Sequence, residues 1–366
     1  METDTTQNSY FTSYEDLEIH RLMLEDNPRT ETYRKAILEN ASYFKDKIVM
    51  DVGCGTGILS IFCAQAGAKK VYAVEASNLA VLAKQIVKEN NFEEVIEVIH
   101  SKVEDVNLPG NIKVDALVSE WMGFYLLHEG MLDSVLYARD KFLKPDGEMF
   151  PDSACIYVAP CSVPELYKWS NFHGVNLSAF ANQLRSSKNS KPEIMTIQKE
   201  DLLGPGTVIA WLNLKEDKVS DLESFNIEEV IGVTRNGHYQ GICIWFECYF
   251  PQISAVNRII LSTGPESPAT HWKQTIIILP EEQSVDEEEP IAYGININRD
   301  LENSRRYNIQ LSLLDPDEVE HPVPCTCYMT KCILMKTVMQ QNADHIISQR
   351  SAESNILEED NIVDDD

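Results

Sequence analysis

Residues Ile48–Gly57 read IVMDVGCGTG. Ile48 to Val52 form a short, largely apolar run, the pattern of a strand buried on both faces. Gly53, Gly55 and Gly57 follow, and then Ile58 to Ala66, an apolar stretch of helical length closed by Gly67. A strand that enters a helix through alternating glycines brings bare backbone close to a ligand at the helix N-terminus. Working outward, Val71 to Val74 predict the next strand, which ends on Glu75, 18 residues after Gly57. An acid at that place can accept the two hydroxyls of a ribose. The ligand is therefore nucleoside-like. The dinucleotide fingerprint GxGxxG fails in the register from Gly53, where Ile58 stands in place of the third glycine, so a dinucleotide is disfavoured.

The same rhythm continues down the chain. Asn78–Asn90 predicts a helix, Val95–His100 a strand followed by Glu104, Val114–Ser119 a strand, Met131–Phe142 a helix and Lys144–Gly147 a turn. Alternating strands and helices specify a parallel, helix-flanked sheet of the Rossmann-like class. Before it, Leu17, Leu24 and their neighbours lie at helical spacing, and Arg29–Asn40 predicts a second helix. Beyond Phe150-Pro151 strand patterns dominate: Ala154–Ala159, Gly206–Leu212, Ile227–Val233, Gly241–Phe250, Trp272–Leu279, Glu289–Ile297 and Arg306–Leu314. They predict an antiparallel β domain, barrel or sandwich. The stretch Tyr167–Pro192 interrupts it with Trp169, Phe172 and Phe180, either as an arm that needs a partner surface or as a surface helical hairpin. The expected division is 1–40, an N-terminal helical segment that is either a cap on the domain or a lid over a ligand; 41–150, the ligand-binding domain; 151–338, the β domain; and 339–366, an acidic tail expected to be disordered.

Composition narrows the function classes. The chain has 366 residues, is 43% hydrophobic and carries a net charge of −27. That charge opposes nucleic-acid binding through phosphate neutralisation and favours cationic partners. No apolar run reaches the ~20 residues of a membrane span, and the polar start METDTTQNSY lacks the apolar stretch of a signal peptide. Nine scattered cysteines fit a reducing compartment, cytoplasm or nucleus. Cys325, Cys327 and Cys332 form no CxxC pair and no histidine cluster completes a site, so they are expected as strand cysteines with no metal.

Ser119–Met131 reads SEWMGFYLLHEGM, with Glu120 and Glu129 at the two ends of an apolar, aromatic run. Two readings are open from the residues alone: a helix start with two solvated acids, or two inward carboxylates that require a cation between them.

With these stretches in hand, the resemblance is specific. DVGCGTG resembles the first motif of S-adenosylmethionine-dependent methyltransferases, so a methyl donor is favoured over a dinucleotide. Together with YFxxY at Tyr10–Tyr14, HxxML at His20–Leu24, RTxxY at Arg29–Tyr33, the two-glutamate loop and SPxTHWKQT around His271, the chain resembles the protein arginine methyltransferases, in their type I, asymmetric-dimethylating branch. The match runs from about Tyr10 to Leu314. The resemblance implies a Rossmann-like domain followed by an antiparallel β-barrel, with Tyr167–Pro192 as the arm of a homodimer. It implies that S-adenosylmethionine binds among Tyr14, His20, Arg29, Asp51, Gly53, Gly55, Glu75 and Glu104, with Arg29 on its carboxylate, Glu75 on its ribose and Glu104 near its adenine. It implies that Glu120 and Glu129 grip a substrate guanidinium, that His271 closes the site and pairs with Asp26, and that Met23 and Met131 shape the space. The expected substrates are basic proteins such as histones or Arg/Gly-rich RNA-binding proteins. Phe124 departs from the tyrosine common in the family, and the arm and acidic tail are divergent. A small-molecule methyltransferase shares the glycine loop and Glu75 but leaves the paired acids and β domain unexplained. A silent basic-peptide-binding protein would keep the fold but needs no complete set of site residues.

Overall fold

The strand at the centre of the first domain, β1 (Ile48–Val52), is buried along nearly its whole length, so its apolar residues face helices on both sides. The computed structural model describes residues 16–188 and 191–342. Three helices precede β1: α1 (Leu17–Glu25), α2 (Asn27–Glu39) and α3 (Ala41–Phe44). Asp16 caps α1, and Asp26 caps α2 by accepting from the Arg29 amide at 3.1 Å. That cap starts α2 two residues before the predicted Arg29. Tyr10, Phe11 and Tyr14 lie outside the described residues, as does the tail from 343 onward.

After β1 come α4 (Ile58–Gln65), β2 (Lys70–Glu75), α5 (Leu79–Glu89), β3 (Ile96–His100), β4 (Val114–Val118), α6 (Leu132–Phe142) and β5 (Leu143–Phe150). The five strands are parallel in the order β3-β2-β1-β4-β5. The chain runs outward from β1 to one side and then returns to β4 on the other. The carboxyl ends of β1 and β4 therefore flank a topological switch point, where open α/β sheets bind ligands. β5 corrects the predicted turn at Lys144–Gly147. Met149 and Phe150 pair with Leu117 and Val118, and that pairing overrides the turn-forming composition of Lys144-Pro145-Asp146-Gly147. Gly147 permits the approach, since a Cβ there would fall 2.9 Å from the Asp115 carbonyl.

The second domain is antiparallel. β6 (Ser153–Cys161) leads into α7 (Pro164–Tyr167) and α8 (Ser178–Lys188), followed by β7 (Glu193–Met195), β8 (Thr207–Asn213), β9 (Ser224–Gly232), β10 (Gly237–Tyr249), β11 (Ile260–Ser262), β12 (Gln274–Val285), β13 (Pro290–Arg299) and β14 (Tyr307–Leu314). One sheet runs β7-β12-β10-β6-β8, with β11 also on β10, and a second runs β14-β13-β9. Tyr239, Tyr293, Phe246 and Phe250 are buried in the core. Tyr167 and Leu184 seat the arm on a smaller apolar cluster that includes Cys161, Leu166, Cys243 and Trp245. Phe172, Val175 and Phe180 of the arm remain exposed.

Single side chains hold the domains together. Asn40 is fully buried. Its Oδ1 accepts from the amides of Ile253, Ser254 and Ala255 at 3.3, 2.8 and 3.3 Å, and its Nδ2 donates to the Pro251 carbonyl at 3.3 Å. Arg299 forks onto both oxygens of Asp133 at 2.7 and 2.9 Å. Asn40→Ala is expected to destabilise the chain by ~1–3 kcal/mol, because it removes four hydrogen bonds to one loop and leaves the buried Pro251 carbonyl without its donor. Urea denaturation checks this, and an unchanged midpoint would remove Asn40 as a junction.

Residues beyond β14 overturn the expectation of strand cysteines. Cys325 and Cys327 lie in a loop and Cys332 in the first turn of a helix over 330–342. His321, four residues before Cys325, supplies the histidine whose absence argued against a site. The ligand atoms of all four lie within 4.8 Å of one another. A search for paired CxxC spacing does not find this arrangement, because the loop through Pro322–Pro324 returns the histidine to the thiols.

Candidate active site

A cavity of about 500 Å³ opens at the switch point, within the size range of small-molecule sites. Its floor is the glycine loop. Gly53 and Gly55 have φ of +73° and +54°, and a Cβ on Gly53 would fall 2.2 Å from the Met131 Cε. Only backbone fits there, as a close-bound nucleoside requires. Glu75, at the end of β2, accepts from the Gly55 amide at 2.9 Å and from the Ser77 amide and hydroxyl at 2.8 and 2.7 Å. It thereby fixes the loop and lines the cavity. His20 packs over Gly55 from α1, and Glu104 lines the far end, where it accepts from the Ser134 hydroxyl at 2.7 Å. Met23 also lines the wall. Tyr14 lies outside the described residues.

Asp51 sits beneath the loop and does not line the cavity. It is fully buried, with Oδ2 accepting from the Ser60 hydroxyl of α4 at 2.7 Å and Oδ1 without a hydrogen-bond partner among the described residues. Burial pushes its carboxyl up to about 7, against the Ser60 hydrogen bond. The unfolded value is ~3.9, so between about pH 4 and 7 the folded chain keeps a proton that the unfolded chain has lost. This contribution to stability is full below about pH 4 and declines as pH rises through 7. Asn at position 51 can still accept from Ser60 but cannot ionise. Asp51→Asn should therefore gain on the parent in urea midpoint from pH 4 to pH 8. A difference independent of pH would place Asp51 as an ordinary carboxylate.

The two-glutamate stretch is a loop, and α6 begins only at Leu132. Gly123 and Leu126 exchange backbone hydrogen bonds at 3.0 Å, and Tyr125, Leu126 and Glu129 hold φ of +44°, +73° and +79°. Left-handed backbone at three non-glycine residues costs energy that the surroundings must offset. Several contacts do so. The Tyr33 hydroxyl of α2 donates to the Ser119 carbonyl at 2.8 Å, and Trp272 Nε1 donates to the Met122 carbonyl at 3.0 Å. Arg305, just before β14, holds the Glu129 backbone from both sides. Its carbonyl accepts from the Glu129 amide at 2.8 Å, and its Nη1 donates to the Glu129 carbonyl at 2.7 Å. Spacing gave no sign of Arg305, whereas Tyr33 was visible in RTxxY.

Both acids line the cavity. Glu120 is already paired: Arg29 donates through Nε and Nη2 to its Oε2 at 2.9 and 2.7 Å, and both side chains are buried. Oε1 accepts from the Met122 amide at 3.1 Å. Arg29 and Glu120, expected on two different ligands, thus meet each other directly. Opposite them, His271 Nδ1 lies 2.6 Å from Asp26 Oδ2, which also accepts from the His271 amide at 2.8 Å. Burial alone would raise the Asp26 carboxyl. The hydrogen bonds from His271 and from the Arg29 amide outweigh it and hold the group below its ordinary value. Phe124 lines the cavity without a hydroxyl.

A glycine loop and a strand-end acid at the switch point of a parallel sheet make a Rossmann-like nucleoside site, and the relatives of the chain place it in the S-adenosylmethionine-dependent methyltransferase class. Residues 35–128 match the model for ribosomal protein L11 methyltransferase, and residues 152–315 match the arginine methyltransferase oligomerization subdomain. The chain is 38% identical over 330 residues to probable protein arginine N-methyltransferase 6.1 of Oryza sativa subsp. japonica, covering 82% of this chain and 84% of that protein. It is 40% identical over 318 residues to protein arginine N-methyltransferase 2 of Homo sapiens, covering 84% and 73%. Its fold superposes with a TM-score of 0.73 and 35% identity on the Trypanosoma brucei PRMT1 enzyme–prozyme heterotetrameric complex solved with AdoHcy, covering 85% of this chain and 98% of that one. The chain belongs to the protein arginine N-methyltransferase family.

Proposed function

We propose that Glu120 and Glu129 together hold a substrate guanidinium over the glycine loop of this S-adenosylmethionine-dependent arginine methyltransferase. The observation that carries this reading is the convergence of the two acids, from the ends of one tightly braced loop, on a single cavity whose floor is bare glycine backbone. Gly53, Gly55, Glu75 and His20 would hold the donor's nucleoside, with Glu104 at its base and Arg29 at its carboxylate. When bound, S-adenosylmethionine supplies an electrophilic methyl on a positively charged sulfur.

The residues of the chain answer the chemistry of arginine. A guanidinium is a poor nucleophile, because its charge is delocalised and its pKa exceeds 12. Two carboxylates fork onto two of its nitrogens, draw the positive charge there and leave the third nitrogen richer in electrons. They also offset the repulsion between the two cations in a dry site. Positioning of this kind supplies up to ~7–11 kcal/mol. Two groups are placed to take the proton that leaves: Glu129, and His271 backed by the Asp26 carboxylate. Met23 and Met131 crowd the same cavity and bear on how many methyls one nitrogen accepts, with asymmetric dimethylarginine the expected product.

The exposed Phe172, Val175 and Phe180 of the arm support a homodimer through that surface. The charge of −27 supports basic protein substrates such as histones or Arg/Gly-rich proteins. Transfer of labelled methyl groups to an Arg/Gly-rich peptide and to histone tails, with mass spectrometry of the product, tests the reading. Mono- and asymmetric dimethylarginine are expected. Label on neither substrate, or only symmetric product, would overturn it.

A further inference from the structure

We propose that His321, Cys325, Cys327 and Cys332 bind one zinc ion that fixes the C-terminal helix, 330–342, to the outer sheet of the β domain. The site stands apart from the methyltransferase cavity and beyond residues 152–315, the part matched by the oligomerization subdomain. His321 Nδ1 lies 3.4 Å from the sulfurs of Cys325 and Cys327 and 3.0 Å from that of Cys332. The sulfurs of Cys325 and Cys327 are 3.4 Å apart. Zinc–sulfur bonds of ~2.3 Å and zinc–nitrogen bonds of ~2.0–2.1 Å in a tetrahedron put ligand atoms about 3.5–3.8 Å from one another. The four atoms need only small movements to reach that geometry.

The chemistry of the donors selects the metal. Three thiols and one imidazole are soft and borderline ligands, suited to zinc and unsuited to calcium or magnesium. Four protein ligands close the coordination sphere, which marks a structural site and not a catalytic one. A disulfide does not account for the cluster. The sulfur separation far exceeds the ~2.05 Å of a bond, and three thiols leave one over. The histidine is also oriented from outside: its Nε2–H donates to the Pro316 carbonyl at 2.7 Å, which leaves the Nδ1 lone pair facing the thiols. Zinc-ligating histidines carry such a partner on their second nitrogen.

Packing gives the reason for a metal here. Cys325, Cys327 and Cys332 are buried, yet among the described residues their cluster has only the partly buried Met329 packed against it. The following helix leaves Ile333, Leu334, Met335, Val338 and Met339 exposed, so apolar burial does not anchor it. The knuckle itself is fastened to the sheet. The Tyr328 amide donates to the Glu288 carbonyl at 2.9 Å, and a Cβ on Gly232 at the end of β9 would fall 2.6 Å from the Cys327 nitrogen. A zinc bound to all four ligands would join loop, helix and sheet in a segment too small for a core of its own.

Elemental analysis of the untagged full-length chain tests the proposal. One zinc per chain is expected, lost in Cys325→Ser and in Cys332→Ser and retained in Cys63→Ser, which alters a buried thiol of the other domain. Refolding with cobalt should give the thiolate charge-transfer and tetrahedral ligand-field bands of a sulfur-rich site, a readout that needs only the parent chain. Chelation should speed proteolysis within 315–342 while the rest of the chain resists. A metal-free parent chain that gains neither zinc nor these cobalt bands would overturn the proposal. So would zinc retained by both cysteine variants, or iron or copper in its place.

Discussion

Glu129→Gln is expected to fold like the parent chain and to lose methyl transfer by about 10²–10³-fold, the usual effect of removing one preorganised electrostatic contact from a dry site. The reasoning rests on how the residue is held. Its backbone is clamped by Arg305 at 2.8 and 2.7 Å, and its φ of +79° is imposed by the loop. Neither depends on the side-chain charge. Glutamine keeps the shape and one acceptor but donates where the guanidinium also donates. Stability should stay within ~0.5 kcal/mol by urea denaturation, and donor affinity by calorimetry should be unchanged. The loss should appear in kcat more than in KM, since the contact strengthens as charge is drawn off the reacting nitrogen. A variant that methylates an arginine peptide at the parent rate would sink the clamp. A variant that unfolds would instead reassign Glu129 to the scaffold.

The contrast between the two glutamates shows where sequence is legible and where it stops. Ile48–Gly57 announced its strand, loop and helix because local periodicity and glycine spacing are properties of neighbouring residues. Glu75 followed by the same logic, at the end of the next strand. The pairing of Arg29 with Glu120 spans 91 residues and four strands. Nothing in either neighbourhood specifies it. Asn40 looked like the end of a helix, yet its side chain joins that helix to the Pro251–Ala255 loop. Lys144–Gly147 has the composition of a turn, and only the free edge of β4 beside it makes a strand of it. His321 is not legible in the sequence as a partner of the three cysteines, because their meeting depends on a loop whose course no local pattern records. Periodicity encodes elements; the partners of buried charges and thiols are set by topology.

Arg29 and Glu120 carry the second large expectation. Replacing Arg29 by Met, or Glu120 by Gln, should each destabilise the ligand-free chain by ~3–5 kcal/mol, because each strands a charge or polar partner in a wall that excludes water. The double variant should recover much of that loss, since no lone charge remains. The coupling energy from the cycle should exceed ~0.5 kcal/mol, the limit expected of independent sites. Function separates the two residues where stability does not. Arg29 would face two anions once the donor is bound, Glu120 and the donor carboxylate. Arg29→Met should therefore weaken S-adenosylmethionine binding by about 10–100-fold, the worth of a charge-assisted hydrogen bond. Glu120→Gln should leave that affinity within a few fold, yet lose methyl transfer. Its Oε2 accepts from Arg29, and on the proposed reading it would turn to the substrate guanidinium when both ligands are bound. Arg29 can give up Oε2 only when another anion takes its place. Donor binding should then raise the affinity for an arginine peptide, and the peptide should raise donor affinity by the same factor. Calorimetry in both orders measures that factor. Additive single variants together with independent binding of donor and peptide would mean that the Arg29–Glu120 contact is scaffold alone.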